Sequence, residues 1–70
     1  MNRPPYQQRV IDEKTALDEK RDLLEPFIAD SPVFKSLPSD EQQRLQRQLA
    51  VMTAYSLILG ERIAAFSPAT

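Results

Sequence analysis

Cysteine and histidine are both missing from this 70-residue chain. Without cysteine there is no disulfide and no thiol nucleophile. Without histidine the commonest general base and the usual zinc ligands are gone. Glycine occurs once, at Gly60, so no glycine-rich phosphate loop can form. Charge of one sign is lacking too: nine Lys and Arg stand against ten Asp and Glu, a formal net charge of -1. Proteins that wrap duplex nucleic acid carry a basic excess, so a duplex partner is not expected. No apolar run approaches the ~20 residues of a membrane span. Met1-Asn2-Arg3-Pro4-Pro5 has no apolar segment of signal-peptide type, which leaves a cytosolic location as the default expectation.

A chain this short builds one domain with a thin core. Disulfides, a metal or oligomerisation usually support such domains. Composition removes disulfides and the usual zinc sites, so oligomerisation is the support that remains, with an unusually well-packed monomer as the alternative. No metal and no cofactor is expected.

The residues that are present favour helix. Residues 1–5 form a stiff extended arm, because proline fixes φ and restricts its predecessor. Residues 6–29 are rich in Gln, Glu, Lys, Leu, Arg and Ala, with Val10, Leu17 and Leu24 seven apart on one face. Pro26 interrupts this stretch and would clash with the carbonyl of Asp22, predicting a kink or an end to regular helix just before it. Residues 30–38 form a connection in which Ser31 caps a short helical turn through Val33-Phe34-Lys35, with Phe34 and Leu37 plugging the end of the hairpin. Ser39 and Gln42 read as a capping box opening the second helix, over 39–66. Its apolar face runs Leu45, Leu49, Met52, Tyr55, Leu59, Ile63, Phe66, in steps of three or four. Val51 and Ile58 widen that face beyond what one partner helix covers. Pro68 ends the helix, and residues 67–70 form a tail. The expectation is an all-α fold: a two-helix antiparallel hairpin with a short helical turn in its connection, assembling into a helical oligomer.

Enzyme chemistry is not expected. Asp12-Glu13, Asp18-Glu19 and Asp40-Glu41 are neighbours on helices and point about 100° apart, so they do not converge on one atom. The seam of helix one is less ordinary. Lys14 and Arg21 occupy positions where a coiled coil would be apolar, with Glu13 and Lys20 on the flank. Two readings fit: long cationic stems cover the seam with their heads in water, or the cations face an anion held between subunits. Arg62 should approach Arg9, Val10 and Glu13, either pairing with Glu13 or acting as a phosphate clamp. Tyr6 covers the end of the hairpin or stacks on a base. Gly60, inside a helix, allows close approach of another helix or leaves room for a ligand.

The run Tyr6-Gln7-Gln8-Arg9-Val10-Ile11-Asp12-Glu13-Lys14, followed by Leu17, Lys20, Leu24 and Phe27-Ile28, resembles a group of small tailed-phage proteins. The later spacing of Phe34, Leu37, Glu41, Leu45, Gln48, Met52, Tyr55, Leu59 and Arg62-Ile63 is similar as well. That group in turn resembles the hairpin domain of phage anti-CBASS and anti-Thoeris sponge proteins. The resemblance implies a homo-oligomer, typically a hexamer, in the cytoplasm of the infected bacterial host. It would sequester cyclic di- or trinucleotide immune signals without cleaving them. It further implies that Tyr6 stacks on a base and that Lys14 meets phosphate, with Lys20 or Arg21 as substitutes. Arg62 would be a late ligand contact, and Arg9 beside it completes the candidate set. Pro26 and the short tail depart from the pattern. The alternative function is a helical protein–protein adaptor or a regulatory protein of phage origin.

Overall fold

The computed structural model describes residues 3–66. Helix α1 spans Pro5–Asp30, α2 spans Pro32–Ser36 and α3 spans Ser39–Ala64, with no strand among the described residues. The two long helices pack side by side as an antiparallel hairpin, 53 Å long and 16 Å across. Tyr6 meets Phe66, Lys14 meets Ser56 and Arg21 meets Thr53, which fixes the register along the whole rod.

Helix α1 starts one residue earlier than the sequence suggests. Pro4 takes the N-cap position in an extended conformation, and its carbonyl accepts from the Gln7 N–H at 3.0 Å. Pro5 follows at the first helical position, where a missing N–H costs little. Of the two outcomes expected at Pro26, a kink or an end to regular helix, the end does not occur: α1 continues through it to Asp30. Pro26 removes one donor late in a helix of 26 residues, and its ring lies on the exposed side, where the Asp22 carbonyl can turn to water.

Ser31 caps α2 as expected, accepting from the Val33 N–H at 3.1 Å. Phe34 is buried and packs edge-on against Phe27, with ring centroids 5.9 Å apart, closing the end of the hairpin. Leu37 beside it is half-buried.

The capping box does not form. Pro38 occupies the N-cap position without a side-chain cap, Ser39 already lies inside the helix, and the Asp40 carboxylate accepts from the Glu41 N–H at 3.0 Å. Gln42 instead donates to the carbonyls of Leu37 at 2.9 Å and Lys35 at 3.2 Å, tying the α2–α3 corner together. The extended dihedrals of Pro38 start the helix one residue early and leave Ser39 without the capping conformation.

The apolar face of α3 needs one correction. The residue turned into the seam is Ser56, which is buried, while Tyr55 is 40% exposed. A strict alternation of four and three from Leu45 passes through Leu49, Met52, Ser56, Leu59 and Ile63, so geometry overrides hydrophobicity at that step. Only Val10, Phe34 and Leu59 are buried apolar residues among those described, whereas Val51, Leu57 and Ile58 are each more than half exposed. Helix α3 ends at Ala64 and a turn carries the chain through 65–66. The expected stop at Pro68 and the tail lie outside the described residues.

Candidate functional site

The seam of the hairpin divides its surface into two edges, and helical spacing assigns the candidate residues between them. On one edge, Lys14 and Arg21 of α1 lie seven apart and face Thr53, Ser56 and Gly60 of α3. On the other, Tyr6, Glu13, Lys20 and Phe27 recur every seven residues along α1. They run beside Gln48, Tyr55 and Arg62, equally spaced along α3. A side-chain groove confirms the second grouping, since Lys20 and Phe27 line it together with Gln48 and Met52.

The first edge is an internal hydrogen-bonded clasp. Lys14 Nζ donates to Asp18 Oδ2 at 2.7 Å and to Ser56 Oγ at 3.0 Å, and the Ser56 hydroxyl donates to Asp18 Oδ1 at 2.5 Å. The Lys14 ammonium, followed by the Ser56 hydroxyl, holds the Asp18 carboxyl below its ordinary pKa. The aliphatic stem of Lys14 passes over Gly60, where an added Cβ would lie 3.4 Å from its Cε. Seven residues, or two turns, along, Arg21 Nε donates to Thr53 Oγ1 at 2.9 Å, while the Thr53 hydroxyl donates to the Leu49 carbonyl at 2.9 Å. Arg21 also lies 3.8 Å from Asp22. Beside this clasp runs an open groove of about 660 Å³, floored by Ala50, Ala54, Leu57, Gly60 and Ala64 and bordered by Glu61. The first reading of the seam cations is met for their stems but not for their heads. Their stems cover the seam, and their heads are turned to partners within the chain.

The second edge is different in kind. Arg9, Lys20, Arg62 and Glu13 are exposed, and among the described residues none of the four forms an ion pair. The Glu13–Arg62 pair considered from the sequence does not form. Two long side chains in water gain little from meeting, so their separation costs little. Tyr6 packs edge-on against Phe66 at 5.8 Å and 83°, so it does cover the open end, yet it remains 51% exposed. The six candidates thus do not make one constellation. Lys14 and Arg21 stand together on the clasped edge. Lys20 and Arg62 stand on the other, with Arg9 and Tyr6 toward its open end.

Three residues of this arrangement escaped the sequence reading: Asp18, Ser56 and Thr53. A strict heptad count would have turned Ser56 inward opposite Lys14, and Asp18 follows as the carboxylate four residues on. Gly60 was legible as an exception inside a helix, but its partner, the Lys14 stem, was not. No group of His, Cys, Asp and Glu among the described residues could hold a metal ion. No helix among them is long and apolar enough to cross a membrane.

The fold and its edges define a small helical hairpin that presents grooves and charged side chains rather than an enclosed cavity. The chain matches the Sequestin family over residues 4–65, nearly its whole length, and belongs to that family. The family name is consistent with a sequestering role. No curated protein and no solved structure matches the chain.

Proposed function

We propose that this protein is a phage immune-evasion sponge that captures cyclic oligonucleotide second messengers of the CBASS or Thoeris type and holds them without cleaving them. It acts as a homo-oligomer, a hexamer by the resemblance of its sequence, in the cytoplasm of the infected bacterial host. Membership of the Sequestin family supports capture as the activity. The observation that carries the choice of ligand is the second edge. Its cations Lys20, Arg62 and Arg9 have no internal partner among the described residues and share that edge, by helical spacing, with Tyr6 and Tyr55, which are 51% and 40% exposed. Unpaired cations meet phosphate, arginine in a bidentate fork, and an aromatic face stacks on a base. Lys14 and Arg21 are the weaker ligand candidates, because their heads are already turned to Asp18, Ser56 and Thr53.

The test is calorimetry against a panel of cyclic di- and trinucleotides, followed by chromatography of the recovered ligand. Binding of at least one member, returned intact, is expected. No heat with any of them defeats the reading. A ligand that binds only the folded state raises stability by about 2.7 kcal/mol at a concentration 100-fold above Kd, so a melting screen gives the same answer.

A helical adaptor is the second reading, favoured by Val51 and Ile58, which are 66% and 52% exposed on α3. It predicts that Val51→Asp or Ile58→Asp abolishes capture of a protein partner and that cyclic nucleotides leave the melting temperature unchanged.

A further inference from the structure

The chain exposes 5325 Å² of surface. A folded monomer of 8.0 kDa exposes roughly 4450 Å² by the scaling of surface with mass. The excess of about 870 Å² is close to the ~800 Å² that each partner contributes to a standard protein interface. Much of the exposed apolar surface belongs to α3, which carries no charge from Leu49 to Gly60. A helix that is apolar on this many sides is stable only when it is covered on them.

We propose that the edge bearing the clasp is a two-fold interface between two copies of this chain, with their α3 helices antiparallel and Leu57 at the axis. The inference rests on the assembly part of the reading above and not on its ligand. Leu57 is 65% exposed at the centre of the 660 Å³ groove. Around it the groove residues are arranged symmetrically: Ala54 and Gly60 lie three positions to either side, Ala50 and Ala64 seven positions. A contact of a surface with itself brings position 57+k against position 57-k of the other copy. Gly60 then meets Ala54 and Ala64 meets Ala50, small against small, so the backbones approach closely and the two leucines fill the centre. The antiparallel direction follows from charge. A parallel pair would set Glu61 against its own copy, whereas the antiparallel pair sets it at the level of Thr53, where Arg21 lies within the chain. Closing this edge leaves no orphaned cation, since Lys14 already holds Asp18 and Ser56. Covering a charge that is paired and hydrogen-bonded avoids the large cost of covering a lone one.

A second copy suits this groove better than an anionic ligand. Lys14 is matched by Asp18, and Arg21 by Glu61 on the opposite border, so the groove offers no net positive charge. The grooves are otherwise floored by alanine, glycine and leucine, which offer phosphate nothing.

The absence of cysteine makes a clean test possible. Single variants Leu57→Cys, Ala50→Cys and Ala64→Cys are treated with a short bis-maleimide and read on a denaturing gel, with the exposed Glu19→Cys as background. Leu57→Cys should cross-link to a dimer. Ala50→Cys alone should not, because fourteen positions, about 21 Å, separate it from its copy. Ala50→Cys refolded together with Ala64→Cys should. Cross-linking of Ala50→Cys to itself, with none in the mixture, overturns the antiparallel direction. No cross-link in any variant, while native mass shows an oligomer, overturns this interface and leaves the sponge reading standing. A monomeric native mass overturns the interface as well, and nucleotide titration of the same sample then decides the ligand separately.

Discussion

Replacing Gly60 with alanine should stabilise the hairpin. Gly60 lies in mid-helix with ordinary helical backbone, since no glycine here has positive φ. Glycine in a helix interior costs about 0.5–1 kcal/mol relative to alanine, through the freedom it has in the unfolded chain. The opposing effect is steric. The new Cβ would lie 3.4 Å from Lys14 Cε, an ordinary contact distance, and that carbon is the far end of a flexible stem. Its ammonium is held to Asp18 and Ser56, so the stem can shift by only a little before those bonds lengthen. A net gain of about 0.5 kcal/mol is expected, or roughly 2–4 °C in Tm for a domain of this size. The assay is urea unfolding followed by circular dichroism on dilute protein. A loss of 1 kcal/mol or more there would show that the clasp is rigid and that Gly60 exists to admit Lys14. At high protein concentration the gain should shrink or reverse, because the same methyl group lies where a second α3 would approach.

Leu59 is fully buried, and Leu59→Ala should cost about 2–5 kcal/mol, a large part of the stability of a domain this small, read as loss of helicity at 25 °C. The same change at Leu57, which is 65% exposed, should barely alter the dilute protein and should weaken its assembly, read by native mass against concentration. Asp18 has a lowered folded pKa, so its stabilising contribution is complete above the unfolded value near 4 and disappears as pH falls through the folded one; the Tm gap between the wild type and Asp18→Asn should therefore close below about pH 4. Lys20→Ala with Arg62→Ala should reduce affinity for a bound cyclic nucleotide at least tenfold in calorimetry, while Arg21→Ala should act chiefly on stability.

The hairpin was legible because its signals are periodic. Val10, Leu17 and Leu24 at intervals of seven, and Leu45, Leu49, Met52, Leu59 and Ile63 at intervals of three, four or seven, define two faces that meet each other. Ser31 before Pro32 marked the short turn, and that cap formed. The errors arose where one residue competes with the pattern. Tyr55 looked like a seam residue because it is apolar and Ser56 is not, yet register and not hydrophobicity decides what points inward, and Ser56 finds Lys14 and Asp18 there. Pro26 as a possible end to the helix did not hold, because a proline on the exposed side late in a long helix removes one bond against many. Ser39 and Gln42 matched a capping box in letters, while the start of α3 was set by the backbone of Pro38. For the site, residue types were readable and pairing was not. The spacing already set Lys14 and Arg21 apart from Lys20 on the flank, but it did not show that Lys14 and Arg21 find Ser56 and Thr53 across the seam while Lys20 finds no partner.

That separation has a physical consequence. Cations six positions apart on one helix point about 120° apart and turn to opposite edges of the hairpin when the seam runs between them, as Lys14 and Lys20 do, whereas Lys14 and Arg21, seven apart, share an edge. An edge whose cations are held by Asp18, Ser56 and Thr53 can lose its water at low cost, because its hydrogen bonds are internal and survive burial. An edge whose cations lack partners cannot be covered by an apolar surface without leaving lone charges behind, so whatever covers it must bring negative charge. The second edge also carries Val51 and Ile58 close by, which an interface at Leu57 leaves uncovered. One two-fold contact therefore does not complete the burial of α3. Either further copies close over the second edge with an anion between them, or the anion arrives with a partner of its own. Native mass at rising salt separates these. An assembly held by the Leu57 contact should persist, since apolar burial is not screened, while one that depends on bridged cations should come apart.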